Sequence, residues 1–164
     1  MADIDHQANA DVAEEIREEE VQLCLFSIDE DYYAIPVSML TEIIIPQKIF
    51  PVPTTPSHVL GVMNLRGSIV PIVDIRPVLA LPGKSLQGQI AIIKHGNVML
   101  GIIVDNVSEV VSVPDSRLLA VPAESIAQAG GRGRSRFVRG MIQRERGVAA
   151  LLDIEKVFDE IKLA

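Results

Sequence analysis

The apolar positions of this chain fall in short runs broken by turn residues, which is the pattern of strands. Runs at 21–28 and 32–37 flank the acidic turn Asp29-Glu30-Asp31. Runs at 90–94 and 98–104 flank His95-Gly96-Asn97, a sequence suited to a tight turn. Residues 38–42 read as one helical turn, and 43–45 as a further strand ended by Pro46. A hairpin is expected at 61–65 and 68–75 around Arg66-Gly67, and another at 140–143 and 147–152 around residues 144–146. Pro36 and Pro71 cannot donate to a ladder, so they belong at strand ends or edges. Only the C-terminus changes period: Ile154, Val157, Phe158 and Ile161 have helical spacing, which predicts a helix at about 153–163.

These runs are written twice. Residues 21–46 align with 88–113 at an offset of 67, placing Gln22 on Gln89, Ile35 on Ile102, Val37 on Val104 and Glu42 on Glu109. Residues 61–79 align with 140–158 at an offset of 79, placing Gly61 on Gly140 and Asp74-Ile75 on Asp153-Ile154. The extra residues of the second half lie between 113 and 140, where the Gly/Arg-rich stretch 130–136 sits. About five short strands per half predict an all-β fold of two small five-stranded barrels, because closure removes edges that this much Ile and Val would make adhesive. The first barrel is expected at about 21–80, a linker at 81–87 and the second barrel at about 88–153.

Composition narrows this picture. Apolar residues make up 48% of the 164 and aromatics only 4%, so the core must be aliphatic. The net charge of −7 belongs to one segment: residues 1–20 hold eight acids against Arg17, and the rest is neutral. An acidic flexible tail is therefore expected at 1–20. The lone Cys24 permits no internal disulfide and fits a reducing cytoplasm. No apolar segment has the form of a secretory signal or the length of a membrane span.

Candidate chemistry is sparse. His6, His58 and His95 have no neighbours at metal-ligand spacing, so neither metal nor cofactor is expected. Cys24 lies inside a strand pattern, as a core residue would. Gly83-Lys84-Ser85 imitates the end of a phosphate-binding loop, but Val78 stands where its first glycine would be. Asp74 and Asp153 resemble a carboxylate pair, yet the repeat explains them as equivalent turn or helix caps. Arg132, Arg134, Arg136, Arg139, Arg144 and Arg146 are the one basic cluster. It suits a solvated loop, a docking site for an acidic partner, or nucleic acid, although Phe137 is the only aromatic beside it. No set of residues converges as an active site, so no enzyme is expected.

Residues 56–76, Pro-Ser-His-Val-Leu-Gly-Val-Met-Asn-Leu-Arg-Gly-Ser-Ile-Val-Pro-Ile-Val-Asp-Ile-Arg, resemble the signature of the CheW-like domain. Tyr33-Ala34-Ile35-Pro36-Val37 with Glu42-Ile43-Ile44, and the stretch 101–110, resemble its flanking strands, so the likeness covers about 21–160. The resemblance implies two SH3-like five-stranded barrels and a non-catalytic chemotaxis adaptor. Such a scaffold couples the cytoplasmic tips of chemoreceptors to the regulatory domain of a CheA-type histidine kinase. It would be cytoplasmic and recruited to membrane-associated receptor arrays. It also implies a receptor contact near Asn64, Arg66, Gly67, Val110 and Val111, and a kinase contact near Val37, Leu40, Glu42, Ile43 and Ile44. The same module serves twitching motility and other non-flagellar pathways, which is one alternative; a nucleic-acid-binding SH3-like barrel is the other.

Overall fold

The computed structural model describes residues 19–53, 55–79, 81, 88–119, 137–145 and 147–161. The tail 1–18, most of the expected linker (82–87), the Gly/Arg stretch 130–136 and Arg146 lie outside the described residues. The strands are β1 (Glu20–Ile28), β2 (Asp31–Pro36), β3 (Leu40–Ile44), β4 (Val59–Leu65), β5 (Ser68–Asp74), β6 (Gln89–His95), β7 (Val98–Val104), β8 (Asn106–Pro114), β9 (Leu118–Leu119), β10 (Val138–Arg144) and β11 (Gly147–Leu152). One helix, α1 (Ile154–Ile161), follows. The helical turn expected at 38–42 is a 3-10 turn at Val37–Met39, and the third strand begins earlier than its apolar run, at Leu40. Among the described residues no helix is long and apolar enough to cross a membrane.

The strands form two sheets, β8-β1-β2-β11-β10-β9 and β3-β6-β7-β5-β4. Apart from the two-residue β9, each sheet has five strands in the same repeat order, so the all-β fold of two five-stranded units stands. The repeat reaches fine detail. The β4–β5 ladder shifts register between Val59 and Gly61, and the β10–β11 ladder does so between Val138 and Gly140. Parallel pairing of β5 with β7 is matched by that of β11 with β2.

The halves do not each build their own sheet, however. β1 and β2 pair with β8 and β11 of the second half, while β6 and β7 pair with β3 and β5 of the first. A boundary near residue 80 therefore cuts both sheets. The hairpin turns hold left-handed residues: Asp29, Arg66-Gly67 and Gly96 have positive φ, as has Gly147 at the start of β11. At the connections Val37–Met39 and Asp105, which hold no left-handed residue, the chain leaves one sheet and enters the other.

Two crossings produce three cores. Leu23, Leu25, Ala34, Val113, Ile142, Ala149 and Leu151 fill the first sheet's interior. Met63, Leu65, Val70, Ile72, Ile90, Ile92 and Ile103 fill the second's. The alternate side chains, including Cys24, Phe26, Ile35, Ile93, Ile102 and Val104, meet in a shared core that α1 covers with Ile154, Val157 and Ile161. Strands buried on both faces read as continuous apolar runs, as Leu23–Phe26 and Ile90–Ile93 do. Each such aliphatic side chain contributes about 1.5–3 kcal/mol by leaving water. Asp153 starts the helix: its Oδ1 accepts from the Lys156 N–H at 3.2 Å.

Candidate docking surfaces

The β4–β5 turn is a two-residue reversal between Leu65 and Ser68, with φ of 49° at Arg66 and 87° at Gly67. Positive φ at both central positions is the geometry that follows the twist of the flanking strands. Gly67 needs no Cβ space, since nothing lies within 4 Å of that position; it is glycine for its backbone. The Asn64 Oδ1 accepts from the Gly67 N–H at 2.8 Å and closes the turn. Arg66 pays a conformational cost of about 1–2 kcal/mol to sit at the tip. Its side chain is 70% exposed and is ion-paired to Glu42 on β3. That bond ties β3, at one edge of the second sheet, to the turn that follows β4, the strand at its other edge.

The first sheet holds a corresponding bond between β8 and the end of β10. Arg144 donates to Glu109 Oε1 at 2.6 Å, and its guanidinium lies 4.8 Å from the ring centre of Tyr32. Glu109 is the repeat counterpart of Glu42, and the arginine stands one position off register. Outward aliphatics follow the repeat too: Ile43 pairs with Val110, and Ile69 with Val148, all exposed. Each barrel thus presents a carboxylate–arginine pair beside two exposed aliphatic side chains.

The family model of the CheW-like domain matches residues 22–162. The chain belongs to the CheW-like family. It is 30% identical over 118 residues to the chemotaxis protein CheW of Helicobacter pylori, covering 71% of this chain and 72% of that one. It is 27% identical over 154 residues to the chemotaxis protein CheW of Treponema pallidum, covering 90% and 88%. The crystal structure of the scaffolding protein TtCheW from Thermoanaerobacter tengcongensis superposes with a TM-score of 0.71, over 82% of this chain and 90% of that one. At 24% identity that likeness establishes the fold. As a CheW-like protein the chain is a chemotaxis adaptor, and the nucleic-acid alternative is not favoured. Of the six clustered arginines, Arg139 and Arg144 are described, and Arg144 is committed to Glu109 and Tyr32.

On this CheW-like frame the residues singled out from the sequence separate. Asn64, Arg66 and Gly67 sit on the second barrel, whereas Val110 and Val111 sit on β8 of the first. Val110 is 58% exposed, while Val111 packs against the first barrel's interior. Val37 and Leu40 lean on the shared core. In the run Ile43-Ile44-Ile45, Ile44 turns inward, and Ile43 and Ile45 face out, 37% and 74% exposed. Glu42 and Arg66, expected at two different contacts, are bonded to each other.

Sequence reasoning missed Ile69, Phe50 and the buried Arg76. Strand alternation opposite Asn64 could have marked Ile69 as outward-facing. Nothing local marks Arg76 as buried. Cys24 is buried in the shared core, and burial pushes its thiol pKa up, away from the reactive thiolate. Asp74 is also buried; its Oδ1 accepts from the Arg76 N–H at 3.0 Å, as a turn-capping carboxylate does. Among the described residues no group of His, Cys, Asp and Glu could hold a metal ion.

Proposed function

We propose that this chain couples the cytoplasmic tips of chemoreceptors to the regulatory domain of a CheA-type histidine kinase, without catalysing a reaction. The supporting observation is the pair of equivalent surfaces, one per barrel, each joining an arginine–carboxylate pair to exposed aliphatics. Two related faces on one molecule suit a bridge between two proteins. The aliphatics supply an apolar contact centre, and the exposed arginine fork fixes orientation.

The receptor contact is assigned to Asn64, Arg66 and Gly67 together with Val110 and Val111. The kinase contact is assigned to the segment from Val37 through Leu40, Glu42, Ile43 and Ile44. Working between these partners would place the chain at the cytoplasmic side of membrane receptor arrays. The test is retention of the purified chain on an immobilised receptor signalling tip and, separately, on a CheA regulatory domain. Both should retain it, and retention by neither refutes the proposal. Arg66→Ala should weaken receptor binding by about tenfold, the scale of an interface hot spot, in a folded protein. Unchanged receptor affinity would remove Arg66 from the contact.

A further inference from the structure

The chain passes from the second sheet back to the first through a single residue, Asp105, between β7 and β8. Its backbone N–H and both carboxylate oxygens are engaged. Its N–H donates to the Ser27 carbonyl at 3.0 Å, and its Oδ2 accepts from the Asp29 N–H at 2.6 Å, both on the β1–β2 side of the first sheet. Its Oδ1 accepts from Arg76 Nη2 at 2.5 Å. Arg76 follows β5 of the second sheet, and its side chain is 2% exposed. The same guanidinium lies 3.5 Å from Asp74 and 3.8 Å from Asp29.

A guanidinium this buried is a costly way to gain cohesion, since desolvation costs several kcal/mol and a well-packed apolar side chain would hold the sheets together as well. What it adds is direction. The shared core is apolar, mostly aliphatic with Phe26, Tyr33 and Phe137 among its buried members, and apolar burial is a non-directional force that by itself sets no angle between two curved sheets. A carboxylate that must meet donors from both sheets at once does set one. The receptor contact proposed above is assembled from both sheets, with Asn64, Arg66 and Gly67 on one and Val110 and Val111 on the other. The kinase contact runs along one continuous segment, from Val37 in the 3-10 turn that leads into β3 to Ile44 at its end.

We propose that Arg76 and Asp105 are positioning residues that fix the angle between the two barrels, and through it the geometry of the receptor contact but not of the kinase contact. The proposal rests on the coupling function above, and its test separates the two. Asp105→Asn is nearly isosteric, but it puts an NH2 donor in place of one of the two carboxylate oxygens, so the separate acceptors for Asp29 N–H and for Arg76 are no longer both present. Arg76→Lys keeps the charge and loses the fork. Each variant should lose about five- to tenfold in affinity for a receptor signalling tip and change less than about twofold for the kinase regulatory domain. Nitroxides at Thr41→Cys on β3 and Ser112→Cys on β8 should give one narrow distance distribution by electron–electron resonance in the parent protein, broadened or shifted in each variant. Both positions are exposed and Cys24 is buried. An unchanged distance distribution overturns the proposal, as does equal loss, or no loss, at both partners. If the parent protein binds neither partner, the coupling function falls, and the distance measurement alone decides whether the pin sets the angle.

Discussion

Gly61→Ala tests how the segment 45–53 is held against β4. Gly61 has φ of +149°, and an added Cβ would stand 2.3 Å from the Phe50 carbonyl oxygen and 2.9 Å from Ile49 Cγ2. That oxygen cannot step aside freely. It accepts from the Val62 N–H at 2.9 Å, while the Phe50 N–H donates to the Val62 oxygen at 2.8 Å. Relieving the clash means giving up both bonds, about 1 kcal/mol each. Alanine at this φ adds a conformational cost of about 1–2 kcal/mol. The expected loss is about 3–4 kcal/mol, or roughly 10 °C in melting temperature for a chain of this size. Gly67→Ala is the control, because it has φ of +87° and open space around it, leaving the conformational cost of about 1 kcal/mol. Urea unfolding with equal slopes compares the two. If Gly61→Ala costs no more than Gly67→Ala, the close approach of Phe50 does not hold that segment in place.

Arg66→Ala and Glu42→Gln should each change stability by less than about 1 kcal/mol in urea, because the pair is solvent-exposed; a larger loss would make the pair structural and weaken its assignment to docking. Asp153→Ala should cost about 1 kcal/mol by removing the acceptor at the start of α1, and Asp153→Asn much less; equal losses would refute the capping role. The Cys24 thiol pKa is raised in the folded chain, so the unfolded chain releases that proton first. Its contribution to stability is therefore complete below the ordinary thiol pKa of about 8.5 and falls as pH rises above it. The urea midpoint should drop between about pH 7 and about pH 10 by more in the parent protein than in Cys24→Ala, and an equal drop would refute the assignment.

The sequence was enough to place most of the strands, the repeat and the tight turns, because each depends on neighbours along the chain. Arg66-Gly67 had to reverse the chain, since both residues occupy left-handed backbone. The doubled Glu42 and Glu109 were legible from the offset alone, and each proved to pair with an arginine of its own sheet. The run Ile43-Ile44-Ile45 was ambiguous, because continuous apolar sequence does not say which side chain turns in.

The exchange of strands between halves was decided only in three dimensions. A repeat makes it illegible: β1 and β6 have equivalent sequences, so either could complete either sheet, and periodicity reports a strand's faces and not its partner. The buried guanidinium of Arg76 was hidden for the same kind of reason. Its carboxylate partners Asp29 and Asp105 are 47 and 29 residues away along the chain, and only the crossing at Asp105 brings them together. Local chemistry determined the strands and their turns; the pairing of distant edges determined where the residues proposed for docking stand.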